Sequence, residues 1–301
     1  MIATPGQGLF EMPVVVAIRN GYFRREGLEV YKVQIRPEIA VRALIAGEVD
    51  YTLAWGASVR AAMMGRPIKG VAAIAARPLH VFISRSEIRF ARDLKGKTVG
   101  VDSFGGTVDY LSRVAARYLG LDPDRDVNII DTGDSSLRFA ALKDGSIDAT
   151  VVDVALAVKA EEEGFKRLLH LGDIIESPIS AIAVTNAKLA TQRDQIKKVI
   201  RATLRGTRFI KQNRAESVRI IQSYLRIASA QAGKVYDASI RSFTDDGFFS
   251  DRTVSLDMRR AKEELQIAKD PPFRQVVDRS VLGEIKFERS KIPFWIRHDE
   301  P

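Results

Sequence analysis

The chain has 301 residues, 46% apolar and 28% charged, with 47 Lys+Arg against 38 Asp+Glu for a net charge of +9. That balance describes a globular protein long enough for two lobes, and it excludes disordered, collagen-like and fibrous classes. With no cysteine, disulfides, thiolate nucleophiles, iron–sulfur clusters and the common structural zinc sites are excluded together, and His80, His170 and His298 lie too far apart in sequence to suggest a multi-histidine metal site.

No run approaches the ~18 consecutive apolar residues of a membrane span. The apolar stretch 14–18 is also too short for a secretory signal. The basic doublets Arg24-Arg25, Lys197-Lys198 and Arg259-Arg260 are each mixed with acids, so they read as a solvated basic surface and not as a nucleic-acid interface.

In chain order, a short strand at 2–4 leads into the glycine-bearing loop 5–8 and a helix through Val14, Ala17 and Ile18 that ends near Gly21. Pro37 suits a first helical turn; Ile39, Ala43 and Leu44 form an apolar stripe; Gly47 fits the left-handed residue that ends such a helix. Val49, Tyr51 and Leu53 begin a strand that becomes continuously apolar, as in a buried parallel sheet. A double strand over 71–83 is interrupted at Arg77-Pro78. After a strand at 98–101, the loop 102–107 precedes a helix with Leu111, Val114, Ala115, Tyr118 and Leu119 on one face. Ser135 or Ser136 caps the next helix, in which Leu137, Ala141 and Leu142 are expected to pack before Gly145 ends it. Strands are then expected at 147–152 and 179–184, and from Leu189 onward the pattern is mainly helical.

One segment recurs. Ala43-Leu44-Ile45-Ala46-Gly47-Glu48-Val49-Asp50-Tyr51-Thr52 reappears as Ala141-Leu142-Lys143-Asp144-Gly145-Ser146-Ile147-Asp148-Ala149-Thr150, an offset of 141 − 43 = 98 at which Gly8 also matches Gly106, Ala17 matches Ala115 and Ala57 matches Ala155. Two β-α-β-α-β units in tandem predict an α/β protein with two similar lobes, parallel sheets and right-handed crossovers. The segments 71–83 and 179–184 read as two hinge strands. Lobe one is then residues 1–77 together with 185–301, and lobe two residues 78–184. The C-terminal helices are expected to pack back on the first lobe. Asp50 and Asp148 are expected to serve the tight turns into their strands through backbone hydrogen bonds.

Ligands of open α/β sheets bind beyond the carboxyl ends of the strands. The loops there are 5–10, 36–38, 54–57, 103–107, 133–136 and 153–155, and several lead into helix N-termini that favour an anion. In Ser103-Phe104-Gly105-Gly106-Thr107, two glycines let backbone approach a ligand; the alternative is a tight turn with an ordinary cap. The loop lacks a P-loop lysine and the dinucleotide glycine spacing. Arg36 and Arg77 are the cations placed to help, or simply surface residues. Trp55 either stacks on a planar ligand or covers the sheet. Asp153 could accept from a ligand amine or pair with an arginine. No nucleophile stands beside a base, and His80, the one histidine near the hinge with a view of the cleft, reads better as a strand histidine hydrogen-bonded locally, so catalysis finds weak support and no cofactor is expected.

Several motifs together resemble the nitrate/sulfonate/taurine-binding proteins of ABC importers: Gly21-Tyr22-Phe23-Arg24-Arg25-Glu26-Gly27-Leu28-Glu29-Val30, the Ala43-Leu44-x-x-Gly47-x-Val49-Asp50 pattern, Gly65-Arg66-Pro67-Ile68-Lys69, and Asp93-Leu94-Lys95-Gly96-Lys97-Thr98-Val99-Gly100-Val101. The resemblance implies a periplasmic binding protein type II fold, with a cleft that closes on a small, anionic solute and a monomer that delivers it to a membrane permease. It places Gly6, Gln7, Trp55, Gly56 and Ser103, Phe104, Gly105, Gly106 and Thr107 where the family contacts its ligand, and Arg36, Asp134, Asp153 and Ser180 on cleft-facing loops. The family's export signal is missing from the sequence, which suggests a trimmed N-terminus and leaves a periplasmic location implied by the resemblance. The alternative is an enzyme on the same fold that needs no cysteine, of the kind found in menaquinone pathways.

Overall fold

The computed structural model describes residues 1–6, 8–268 and 271–290. The chain forms two compact units: Met1–Ala76, Ser177–Ile221 and Ile240–Pro301 make the first, and Arg77–Glu176 with Gln222–Ser239 the second. The strands are β1 (Ile2–Thr4), β2 (Lys32–Gln34), β3 (Tyr51–Thr52), β4 (Ile68–Ala75), β5 (His80–Ser84), β6 (Lys97–Val101), β7 (Val127–Asp131), β8 (Ala149–Asp153), β9 (Lys166–His170) and β10 (Ser180–Thr185). The first unit carries a sheet ordered β2-β1-β3-β10-β4, and the second one ordered β7-β6-β8-β5-β9.

The sequence offset survives in three dimensions. The helices Pro37–Ala46 and Ser135–Asp144 are 98 residues apart at both ends. They bury matching positions: Ala40, Val41, Ala43 and Leu44 in one, Arg138, Phe139, Ala141 and Leu142 in the other. Gly47 and Gly145 close them at φ 79° and 86°, a conformation that favours glycine. Ala183 pairs with Thr52, and Ile83 pairs with Thr150, which is Thr52 moved by 98.

Three expectations need correction. The sheets are mixed: β1 runs parallel to β2 and β3, and β6 to β7 and β8, but β10 runs antiparallel to β3 and β4, and β5 antiparallel to β8 and β9. Each of these two strands starts at the sheet edge where the parallel strands end, so it must run against them. Secondly, β10 is an internal strand of the first sheet, so that unit resumes at residue 177 and not 185. The helix Ser229–Ser239 falls in the second unit, where Lys234 pairs with Glu162 at 2.9 Å. Thirdly, Ile39, Leu137 and Tyr118 are exposed. In the two repeated helices the buried stripe is centred one or two positions further along, on Val41 and Phe139.

Each unit has its own core. Trp55, Ile68, Phe249 and Val254 pack in the first, and Phe82, Leu94, Val99 and Leu111 in the second. Among the described residues, no helix is long and apolar enough to cross a membrane. Neither aspartate serves its own turn as expected: Asp148 accepts from the N–H of Thr98 on β6 at 2.9 Å, while Asp144 accepts from Ser146 in that turn, and Asp50 pairs with the nearly buried Lys188 at 2.9 Å.

In the first unit the helices Met12–Arg19 and Arg193–Gln212 meet at Gly206, where a Cβ would collide with the Pro13 carbonyl oxygen and stand 3.3 Å from the Ala17 nitrogen. Gly206→Ala is expected to cost at least ~2 kcal/mol in urea denaturation, because backbone cannot yield as a side chain can. Gly283→Ala, in the helix Ser280–Ser290 with open space at its Cβ, is expected to be neutral or to stabilise by up to ~1 kcal/mol.

Candidate functional site

In the first unit the carboxyl-end edge is built from β1, β3 and β10. Thr52 lies opposite Ala3 on one side and Ala183 on the other. By that register, Thr4 and Ser180 flank the point where β3 gives way to the helix Trp55–Met63. Both are fully buried, and the Oγ1 of Thr4 and Oγ of Ser180 have no hydrogen-bond partner among the described residues. An unsatisfied buried hydroxyl costs about 1–3 kcal/mol, so two at one edge call for an explanation. The helix has no side-chain cap, and the N–H groups of Gly56 and Ala57 find no acceptor among the described residues. Gly6 lies in the loop after β1 and has open space at its Cβ position; Gln7 lies outside the described residues.

Trp55 covers the sheet. Its ring is 2% exposed, packs on Phe249 at 5.0 Å between centroids, and fills the space that a Cβ on Gly70 would need. Its indole N–H donates to Asp257 Oδ2 at 2.7 Å, and Ser177 Oγ donates to Oδ1 of the same carboxylate at 2.6 Å. The stacking alternative therefore lacks a free ring face, and Trp55 serves the edge as the first residue of its helix. Burial pushes the Asp257 carboxyl up to about 6 against the downward pull of its two donors.

The second unit repeats the plan with charged groups. Beyond β6, Asp102 accepts from the Ser103 N–H at 3.0 Å and the Val108 N–H at 3.4 Å. Gly105 is left-handed at φ +75°, and a Cβ on Gly106 would collide with the Asp102 carboxylate. Ser103, Phe104 and Thr107 are exposed, and the helix Thr107–Tyr118 begins without a side-chain cap. Asp134 and Asp153 each cap their own helix, the first accepting from Ser136 and Leu137, the second from Ala155 and Leu156. His80 lies opposite Asp153 in the β5–β8 pairing, the place Ser180 holds in the first sheet. The His80 Nδ1 is buried without a partner, contrary to the local hydrogen bond expected of it, and burial holds the imidazole below its usual range.

The two expected cations are not alike. Arg36 is exposed at the start of the helix Pro37–Ala46 and makes no cap bond. Arg77 is matched inside the second unit, donating to the Gly172 carbonyl at 3.2 Å and pairing with Glu176 at 3.0 Å. The residue missed by sequence reasoning is Arg138. It is 5% exposed, its Nη1 donates to the Gly133 carbonyl at 2.5 Å, and its Nε has no partner. The signal was available, since the 98-residue offset sets Arg138 against Ala40, a fully buried alanine.

A family model described as NMT1/THI5 like matches residues 11–217. The chain belongs to the NMT1/THI5-like family. Among curated proteins it is similar to the riboflavin-binding protein RibY of Chloroflexus aurantiacus, 27% identical over 202 residues that take up 64% of this chain and 57% of that protein's length. Among solved structures it resembles the periplasmic aliphatic sulphonate binding protein SsuA of Escherichia coli, with a TM-score of 0.76, 16% identity and coverage of 94% of this chain and 97% of that one. The desulfurization enzyme DSZB also shares the fold, with a TM-score of 0.69, 14% identity and coverage of 96% and 99%. These likenesses establish the periplasmic binding protein fold, with two mixed α/β sheets.

Asp257 gives a pH prediction for this family member. Its folded pKa of about 6 stands above the ordinary carboxylate value of 3.8, so the folded state holds the proton more tightly. Stability from this group is present below the ordinary range and is lost as pH rises towards about 6. Asp257→Asn, which removes the titration, is expected to gain up to about 3 kcal/mol relative to the unsubstituted protein between pH 4 and pH 7 in paired denaturation curves.

Proposed function

We propose that this protein is the solute-binding component of an ABC importer, capturing a small oxyanion-bearing solute in the periplasm and passing it unchanged to a membrane permease. The observation that carries this reading is the repeated edge. In the first unit an uncapped helix start adjoins Thr4 and Ser180, whose buried hydroxyls have no partner among the described residues. In the second the helix start at Thr107 is also uncapped, and the buried Nδ1 of His80, opposite Asp153, has no partner among them. Such atoms are stabilised by a ligand that completes their hydrogen bonds.

Magnitudes require several contacts. A micromolar solute needs about 8 kcal/mol, whereas one helix terminus supplies roughly 0.3–1 and one charge-assisted hydrogen bond roughly 1.5–3. The names of similar proteins, riboflavin-binding and aliphatic sulphonate binding, support a binding role and leave the solute open across that range. The periplasmic setting named for the sulphonate-binding neighbour supports the same compartment here.

Thermal-shift and calorimetric screening against sulfonates, carboxylates, nitrate, pyrimidines and riboflavin is expected to find a compound that raises the melting temperature and is recovered unchanged after denaturation. A compound recovered as a different product would make this an enzyme instead. Ser180→Ala is expected to weaken the best solute by about 1 kcal/mol, near fivefold, while leaving the unliganded protein at least as stable, because the hydroxyl it removes has no partner to lose.

A further inference from the structure

We infer that the groove between the helices Pro37–Ala46, Trp55–Met63 and Asp251–Leu265 of the first unit binds a single-chain amphiphile, an aliphatic carboxylate of about ten carbons. The inference goes beyond the solute-binding reading and does not depend on it.

The groove encloses a cavity of about 690 Å³, within the roughly 300–1,000 Å³ of small-molecule sites. Buried Val41, Ala57 and Ala61 line it together with Ile45 and Met64, which are 38% and 55% exposed. It takes in Ala57 but neither Thr4 nor Ser180 of the strand-end edge. Along the first helix it runs from Glu38 to Ala46, about 12 Å at 1.5 Å per residue, which suits an extended alkyl chain.

The second unit shows that the fold does not itself demand this opening. The helices Trp55–Met63 and Val154–Glu162 are in step at an offset of 154 − 55 = 99, and the turns after them keep it: Arg66 N–H donates to Ala61 as Phe165 N–H donates to Ala160. The counterparts of Val41 and Arg66 are therefore Phe139 and Phe165, whose ring centroids lie 5.7 Å apart. Those of Ile45 and Met64 are Lys143 and Glu163, an ion pair at 2.5 Å, with the Lys143 ammonium 4.9 Å from the Phe139 ring centroid. Two rings fill the place there and a salt bridge closes it. In the first unit neither the rings nor the pair is present, and the place is open and apolar.

The rim selects the head group. Arg42, Arg60 and Arg66 face two carboxylates, Glu38 and Glu264, and both carboxylates engage Arg60, at 3.0 and 3.6 Å. Arg42 and Arg66 make no ion pair among the described residues. Their counterparts are Ala140 and Phe165, so both cations belong to the open form of the groove. An apolar trough with one positive charge in excess is complementary to an alkyl chain that ends in one carboxylate.

The test is an NMR titration of the full chain carrying ¹³C-methyl methionine, read at the Met64 methyl resonance, which is assigned by its loss in Met64→Leu. Decanoate below its micelle concentration is expected to shift the signal saturably, acetate to leave it in place, and decyltrimethylammonium to act at least tenfold more weakly. In calorimetry, Arg42→Gln with Arg66→Gln is expected to weaken decanoate at least tenfold. Val41→Phe with Arg66→Phe, which rebuilds the ring pair of the second unit, is expected to abolish its binding. Ile45→Lys with Met64→Glu is a second closing variant should the first fail to fold. No saturable shift with decanoate, an equal response to the cationic amphiphile, or undiminished binding in a folded closing variant overturns the inference. So does a Met64 shift produced at lower concentration by an acidic amphipathic peptide or by phosphatidylglycerol vesicles. A solute from the thermal-shift screen is expected to bind the closing variants unchanged. Decanoate binding without any such solute would retain the groove and remove the solute-binding reading, and the reverse result would remove only the groove.

Discussion

The parallel strands of both units end where a helix begins, and that junction governs the rest of the molecule. A helix start leaves N–H groups without intrahelical acceptors, and near a buried sheet edge they must be met by a side chain, water or a ligand. At Ser135 and Val154 the chain meets them itself, through Asp134 and Asp153. At Trp55 and Thr107 it supplies no side-chain cap. The same backbone geometry is therefore capped at these two junctions and left without a side-chain cap at others, Pro37 among them.

The repeat makes the two units comparable position by position. In the first, Thr4 and Ser180 place neutral hydroxyls at the open junction; in the second, Asp102 and His80 take those places and Arg138 stands where Ala40 would be. One edge thus offers neutral hydrogen-bonding groups, and the other charged ones, more of them acidic than basic. The two copies share the helix length, the closing glycine and the strand register, and differ in the residues at the edge.

Buried polar groups without partners oppose folding, and the units differ in how they hold them. Asp257 is buried but accepts from Trp55 and Ser177, so its cost appears as a raised pKa. Arg138 keeps one bond, to Gly133, and an idle Nε. The large apolar cores around Phe249 and Phe82 tolerate such groups because each is a small deficit against extensive burial.

The sequence by itself determined the α/β class, the repeated unit with its 98-residue offset, the helix-closing glycines and the loops beyond the strands, because these follow from local rules of periodicity, backbone sterics and capping. The tertiary structure alone decided that β5 and β10 run antiparallel, that β10 belongs to the first sheet, and that the Trp55 ring is buried against Phe249. It also decided which cation is idle. Arg36, Arg77 and Arg138 are equivalent in composition, and only the burial of Arg138 and the placement of Glu176 beside Arg77 separate them. The pairing of Arg77 with Glu176 depends on residues 99 positions apart meeting, which no local pattern records.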